Sequence, residues 1–373
     1  MWPNLSNFLK KLLAESKMGI VFINLLLGSA LFAMTIAVDS PILQQKECLE
    51  ANEEIFFSVK KVDIPRHKNA YNPSIVATKE GYILFFRYDE TNEHFFHQKK
   101  FGGCTYIGYC HLSKELDVVS KPRFLDLKSA YAEDPRAISY GGKIYVFYND
   151  IDFQDSLKRK MKIAVLEQES LKVETLYFIP GGKRKVEKNW TPVVFNEGEK
   201  QRLGFIYSFD DLSLFTIDFV EKKIVVEPYG TEKMGGNYPF AWLKKYGFLR
   251  GGAPVFYAED RFWAFFHSYF KIKTPVSNYE DRKDFFYVGG LVTFTIKPSI
   301  HFDKISRFPL LYEGAFSTKR VRCFDKMVIY PSGCVYDKES RVVLLAVGEN
   351  DSGIKLLKAD LDLLKKSMEK VNP

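Results

Sequence analysis

The sequence predicts an all-β protein, a five-bladed β-propeller preceded by one N-terminal transmembrane helix. Three observations predict this: an apolar run near the N-terminus, a proline-centred unit that recurs five times, and an aromatic content of 16%, with 33 Phe and 21 Tyr. Aromatic side chains fit the pleated, half-buried surface of a strand. At 373 residues and 46% hydrophobic, the chain can bury a large core.

The N-terminus comes first. Met18 to Val38 is an almost uninterrupted apolar run, broken by Asn24, Ser29 and Thr35. About 20 helical residues span a bilayer core. Lys10, Lys11 and Lys17 precede the run, and Asp39, Glu47, Glu50, Glu53 and Glu54 follow it. That bias puts residues 1–17 in the cytoplasm and the rest across the membrane. We therefore expect a single-pass signal anchor at 18–38 and an acidic linker at 39–54. A cleaved signal peptide is the alternative, with Ala33 and Ala37 near a possible cut.

Beyond residue 55, short apolar runs alternate with turn residues, as in all-β proteins. A polar residue beside a proline opens each unit, followed by an apolar strand, a turn and an aromatic strand. Asn72-Pro73, Asp134-Pro135, Thr191-Pro192, Ala253-Pro254 and Tyr330-Pro331 begin the five copies, with prolines 62, 57, 62 and 77 residues apart. Four strands of about six residues, plus loops, fill roughly 60 residues, which is one propeller blade. The alternative is a β-sandwich with chance proline spacing. The propeller spans 55–358, and the spacing of Leu361, Leu363, Leu364 and Met368 predicts a C-terminal helix over 359–373.

Innermost propeller strands line a central channel, so the polar residues at the five entries converge at one mouth. They are Asn72 and Arg87; Glu133, Asp134, Arg136 and Asp150; Lys188, Asn189 and Asp210; Arg250 and His267; and Tyr330, Ser332 and Asp351. Carboxylates beside cations suit glycosyl transfer, in which a carboxyl assists the departing oxygen. Lys188, Arg250 and His267 suit a phosphate group. Asn189 and Asn350 open formal glycosylation sequons, and a glycan on Asn189 would block this site.

The ordered series AsnPro…Arg, GluAspProArg, LysAsn…Pro, GlyGly…Pro…His, TyrValGlyGly and TyrProSerGly resembles the β-mannoside phosphorylase superfamily (glycoside hydrolase family 130) and its β-1,2-mannosyltransferase relatives, from about Asn72 to Asp351. The resemblance implies a five-bladed propeller in which Asp134 is the single catalytic acid, acting with inversion. It implies that Asn72, Arg87, Glu133, Arg136, Asn189 and Asp351 bind sugar, and that Lys188, Arg250, His267 and Tyr287 hold phosphate or diphosphate. This chain departs from the family in having Asn189 where the phosphorylases usually carry aspartate. It also has Phe265-Phe266-His267-Ser268 in place of a tyrosine-histidine-glycine pattern. Arg184 and Lys185 are the candidates for a further phosphate ligand.

The expected function is a membrane-anchored glycosyltransferase or glycoside phosphorylase for mannosyl units. It needs no cofactor beyond phosphate or a sugar nucleotide as co-substrate, and no metal. Asp360-Leu361-Asp362 has a metal-transferase spacing but falls on the expected helix. Two alternatives remain: a propeller hydrolase whose second carboxylate is Asp89, Asp150 or Asp210, and a non-catalytic glycan- or protein-binding propeller. The net charge of +8 is spread along the chain, with no basic arm, Cys/His finger or RNA-binding aromatic signature, which argues against nucleic acid. Cys104/Cys110 and Cys323/Cys334 can each bridge neighbouring strands in an oxidising compartment, or all five cysteines can remain thiols.

Overall fold

The computed structural model describes residues 45–90, 104–152, 155–180, 184–210, 212–220, 223–229, 238–272, 284–297, 300–318 and 326–371. The expected membrane anchor, residues 18–38, lies outside them, as does Cys323. Among the described residues no helix is long and apolar enough to cross a membrane.

Helix α1 (Gln45–Asn52) and strand β1 (Phe56–Val62) come first. Unit one is β2 (Ala70–Ala77), β3 (Tyr82–Asp89), β4 (Thr105–Leu112) and β5 (Arg123–Phe124). Unit two is β6 (Glu133–Tyr140), β7 (Lys143–Asp152), β8 (Asp155–Glu167) and β9 (Val173–Phe178). Unit three is β10 (Thr191–Glu197), β11 (Lys200–Ser208), β12 (Ser213–Val220) and β13 (Lys223–Pro228). After α2 (Phe240–Tyr246), unit four has β14 (Arg250–Gly251) and β15 (Phe256–Ala258) on one flank of β16 (Arg261–Ile272), then β17 (Asp284–Thr295) and β18 (His301–Ser306). Unit five is β19 (Lys326–Asp337), β20 (Val342–Glu349) and β21 (Gly353–Asp360). Its fourth strand is β1, which pairs antiparallel with β21 so that Val62 faces Ile354. A short parallel pairing of β17 with β19 links units four and five.

The first strands of successive units touch in order: β2 with β6, β6 with β10, β10 with β15, β15 with β19, and β19 with β2 again. The five sheets therefore form a closed ring. One hydrophobic cluster fills each junction. Phe85 meets Tyr148 between units one and two, and Phe147 meets Phe205 between two and three. Ile206 meets Phe266 between three and four, Phe265 meets Val347 between four and five, and Leu84 meets Leu344 between five and one. Alternate residues of each second strand thus face opposite neighbours, as period-two side chains must. Each buried Phe or Leu contributes about 1.5–3 kcal/mol.

The prolines sit differently from the simple expectation that each opens a strand. Pro73, Pro135 and Pro331 lie inside β2, β6 and β19, at register shifts of the ladder. Pro73 and Pro135 are themselves unpaired there, where a missing N–H is tolerated, whereas Pro331 pairs with Val347 and Ser332 is the residue left out. Gly141 and Gly142, with φ of 55° and 75°, form the tight turn from β6 to β7.

Three expectations are corrected. The C-terminal helix is α3 (Leu361–Lys366) alone, capped by Asp360 accepting from the Leu363 N–H. Residues 359–360 end β21, and β22 (Met368–Lys370) pairs with β18. The segment 39–54, read as an irregular linker, contains α1, whose Asn52 donates to the Pro309 carbonyl at 2.8 Å and whose Cys48 is buried. Cys104 and Cys110 are free thiols. Cys104 immediately precedes β4 and Cys110 lies within it, on one extended run rather than on two adjacent strands, and six residues at about 3.3 Å each exceed any disulfide's reach. Cys334 is also a free thiol.

Candidate active site

Three sheet entries hold a non-glycine residue in left-handed backbone: Asn72 (φ 44°), Asp134 (φ 53°) and Asn189 (φ 66°). Such backbone costs of the order of 1–3 kcal/mol per residue and persists where surrounding contacts over-determine it. Asn and Asp adopt it more readily than other side chains. Here the contacts run between units.

Asp134 Oδ1 accepts from Asn72 Nδ2 at 2.9 Å and lies 3.4 Å from Arg87 Nη1. Arg87 is surrounded by carboxylates. Its Nη2 is 3.0 Å from Glu133 Oε1 and its Nε is 3.1 Å from Asp89 Oδ1. Tyr71 donates to Asp89 Oδ2 at 2.9 Å, and its ring lies 5.0 Å from the Arg87 guanidinium. Arg159 supplies a second cation, with Nη2 2.6 Å from Glu133 Oε1 and Nη1 donating to Asn149 Oδ1 at 2.8 Å. Burial pushes the Asp134 carboxyl up, but Arg87, the Asn72 amide, Arg136 and Lys188 together hold it below its ordinary value. Glu133 goes the other way: burial raises it beyond what Arg87 and Arg159 offset.

Arg136 is fully buried and spans four units. Its Nε donates to the Gly252 carbonyl at 2.7 Å, and its Nη2 donates to Asn189 Oδ1 at 3.1 Å and to the Tyr330 hydroxyl. Tyr330 in turn donates to Asn189 Oδ1 at 3.1 Å. Gly251 permits this closeness, since a Cβ there would lie 1.8 Å from the Asn189 carbonyl oxygen. Among the described residues Arg136 Nη1 and His267 Nδ1 are buried without a hydrogen-bond partner, so each has bonding capacity left for a ligand.

Beside this cluster a cavity of ≈ 330 Å³ is lined by Lys188, Asn189, Arg250, Arg184, Asp210 and the rings of Tyr207 and Phe248. Arg250 pairs across the ladder with His267 and lies 4.3 Å above the Tyr269 ring. The His267 ring packs edge-on to Tyr330 and stacks towards Tyr287, with centroids 4.8 Å and 6.3 Å away. Burial, then Arg136, Arg250 and Lys188, hold the His267 imidazole well below its usual pKa, so it is neutral. Burial raises Tyr287 and Tyr330, and the charge of Asp351 raises both further.

No protein-family model matches the sequence, and no curated protein matches it. Solved structures do match in shape. A glycosyl hydrolase from Bacteroides ovatus superposes with a TM-score of 0.54 at 12% identity, over 86% of this chain and 96% of that one. A mannose phosphorylase from Leishmania mexicana, in complex with phosphate, gives 0.53 at 13% identity, over 88% and 95%. A β-1,2-mannobiose phosphorylase from Listeria innocua gives 0.51 at 12% identity, over 84% and 94%. The chain has the fold of the mannoside phosphorylases. At these identities the likeness is one of fold, and the site within that fold rests on this chain's own geometry.

Within the mannoside phosphorylase fold, Asn72, Arg87, Glu133 and Asp134 form one hydrogen-bonded cluster, and Arg136 and Asn189 form a second one with Tyr330, close enough for the Arg136 charge to act on Asp134. Lys188 and Arg250 line the adjoining cavity, His267 and Tyr287 lie on its unit-four side, and Asp351 is near both tyrosines. Glu133, expected to bind sugar, bridges Arg87 and Arg159. Asp150 is fully buried, held by Ser129 at 2.7 Å and Lys162 at 2.7 Å, and Asp89 is taken up by Arg87 and Tyr71. Ser332 donates to the Pro73 carbonyl, knitting unit five to unit one. The sequence missed Arg159 and Asn149, which stand mid-strand with no motif around them. Among the described residues no group of His, Cys, Asp and Glu is arranged to hold a metal ion.

Proposed function

We propose that the closed ring is a five-bladed β-propeller and that the chain transfers a mannosyl unit with inversion between a phosphate-bearing co-substrate and a glycan. The observation that carries this reading is the placement of Asp134. It is one carboxylate fixed by Asn72 and Arg87, next to a cationic cavity holding Lys188 and Arg250. Solved structures of the same fold include a mannose phosphorylase with phosphate and a β-1,2-mannobiose phosphorylase with its disaccharide, which supports the substrate class.

In this mechanism the bond between the anomeric carbon and the phosphate oxygen breaks. Its electron pair leaves with the phosphate, which is stabilised by Lys188, Arg250, His267 and Tyr287. The glycan hydroxyl attacks the opposite face, and its proton passes to Asp134. An ionised carboxylate suits that proton acceptance, and only donors contact Asp134 Oδ1 in the bonds described above. Phosphorolysis runs the same steps backwards. Asn72, Arg87 and Arg136 hold the sugar, and Asn189 and Asp351 meet its hydroxyls. The only co-reactant is the phosphate compound itself.

The cavity favours one version of the reaction. Ligand pockets begin at about 300 Å³, so ≈ 330 Å³ lined by Tyr207 and Phe248 as well as cations suits a phosphate ester better than orthophosphate. Hydrolysis is the weaker reading, because Asp89 and Asp150 are already engaged, which leaves it only Asp210 on the cavity wall as a second carboxylate. Residues 18–38 would anchor the enzyme with its propeller on the non-cytoplasmic side.

Incubating the protein with manno-oligosaccharides and phosphate, and separately with mannose nucleotides and an acceptor, separates the readings. Sugar phosphate or an elongated glycan supports transfer, free mannose supports hydrolysis, and no product in any arm defeats the enzymatic reading. Asp134→Asn should lower turnover by about 10²–10⁴-fold with the fold intact, and full activity would refute the role of Asp134.

A further inference from the structure

The run from Arg184 to Lys188 reads as a basic surface strip, and Arg184, Lys185, Val186 and Lys188 are all exposed. Glu187, within that run, is only 1% exposed. Its neighbours Val186, Lys188 and Asn189 line the cavity, whereas Glu187 lies behind the wall they form. A buried carboxylate is costly unless hydrogen bonds satisfy it. Glu187 accepts three. Its Oε1 takes the Arg184 backbone N–H at 2.5 Å and the Tyr207 hydroxyl at 3.2 Å, and its Oε2 takes Trp190 Nε1 at 3.2 Å.

These donors define what the carboxylate does. Arg184 and Trp190 stand at equal distances before and after Glu187 in the chain, so its two oxygens close the segment 184–190 on itself. Tyr207, on β11, ties the closed segment to unit three. Trp190 is buried and stacks on Phe205 with centroids 4.6 Å apart, and the Arg184 guanidinium lies 5.7 Å from the Tyr207 ring. Unit two holds the segment from the other side. The Arg159 N–H on β8 donates to the Lys185 carbonyl, and the Glu187 N–H donates to the Arg159 carbonyl, both at 3.1 Å. The Arg159 side chain meanwhile holds Glu133, so one residue joins this segment to the acid cluster.

The segment presents Arg184, Lys188 and Asn189 to the cavity. A lysine is a point charge on a flexible stem, so its place depends on where its backbone is fixed. Asn189 sits in left-handed backbone, which persists only where surrounding contacts hold it. We propose that Glu187 is a positioning residue, which shapes the segment 184–190 into the wall that binds the phosphate-bearing co-substrate. The role rests on the reading of the cavity as the co-substrate site. It also runs against simple electrostatics. A negative charge behind a cationic wall repels an anionic ligand, so its removal raises anion affinity if charge alone matters. Positioning predicts the opposite sign.

Full-length wild type, Glu187→Gln and Trp190→Phe are titrated calorimetrically with mannose 1-phosphate and GDP-mannose as anionic probes, and with β-1,2-mannobiose as a neutral one. Glu187→Gln keeps the side-chain shape but turns an amide N–H towards a donor. It should lower the affinity for the anionic probe that the wild type binds by about tenfold, equivalent to about 1.4 kcal/mol, and change the mannobiose affinity by less than about twofold. Groups that support ligand-holding residues in metal sites have effects of about 10–100-fold. Trp190→Phe keeps the ring against Phe205 and removes one donor, and should lower anion affinity in the same sense by about threefold. Anion affinity that is unchanged or raised in folded Glu187→Gln overturns the positioning role and leaves the proposed function standing. An equal fall for mannobiose also overturns it, because Glu187 then supports the fold in general. If Glu187→Gln does not fold, Trp190→Phe decides by the same criteria. A wild type that binds neither anionic probe overturns the proposed function, and the role of Glu187 with it.

Discussion

Replacing Arg87 with Met removes one cation from three carboxylates while keeping most of the side-chain length. Arg87 Nη1 lies 3.4 Å from Asp134 and Nη2 lies 3.0 Å from Glu133, and each of these side chains is 13% exposed. Removing one partner from a buried pair costs about 3–5 kcal/mol. A carboxylate that loses an adjacent arginine rises by about 1–3 pH units. In the wild type the depressed Asp134 contributes stability that is present above its unfolded pKa and lost as pH falls through the folded one. The raised Glu133 has the opposite slope, with a penalty that appears as pH rises through its folded pKa. In Arg87→Met, Asp134 should join Glu133 in disfavouring the ionised form. The variant should therefore be about 3–5 kcal/mol less stable at neutral pH, and the gap should shrink on acidification as the carboxyls take up protons. Urea denaturation of both proteins from about pH 4 to about pH 8 measures this. A gap that stays constant across that range would refute the electrostatic account of the cluster.

Arg136→Lys keeps the charge but not the planar fork. With Gly252, Asn189 and Tyr330 losing donors, it should lower stability by about 2–4 kcal/mol, read as a shifted denaturation midpoint. His267 is held neutral by burial and by Arg136, so the folded protein cannot take up the proton that the unfolded chain binds. Stability should fall as pH drops below about 6.5, and His267→Gln should flatten that part of the profile. Gly251→Ala puts a Cβ against the Asn189 carbonyl, and at least 1–3 kcal/mol of destabilisation is expected. A variant as stable as the wild type would show that units three and four separate freely.

The repeat was legible because its cause is local. A proline has no N–H for the ladder, and Pro73, Pro135 and Pro331 mark register shifts in three sheets, while Pro192 keeps a regular pairing with Phe205. Asn72 and Asp134 were legible with them, since each precedes a proline and ends up in the same left-handed backbone. The partners that tune the site were not. Arg159 is one of many cations in a charged strand, and only the ladder with β7 sets it beside Asn149 and Glu133. Asp89 read as a spare carboxylate until its bond to Arg87 assigned it. The C-terminal segment misled because Leu361 and Leu364 do form a helical face, whereas Met368 gains its burial by pairing as a strand with β18.

The pairing of β1 with β21 has a consequence for how the chain is made. The outer strand of the fifth sheet is the first of the ring's strands to be synthesised, and its partner Gly353–Asp360 follows about 300 residues later. Until β21 is made, β1 has no edge to join, and its exposed Phe57 and Val59 belong to an unpaired ribbon. Bringing ends about 300 residues apart together costs about 5 kcal/mol of chain entropy, so ring closure is a late step, achieved only when units one to four already hold the ends near each other. Four finished sheets act as the template on which β1 and β21 meet. A chain halted before β21 would present the cell with a ring left open at a single seam.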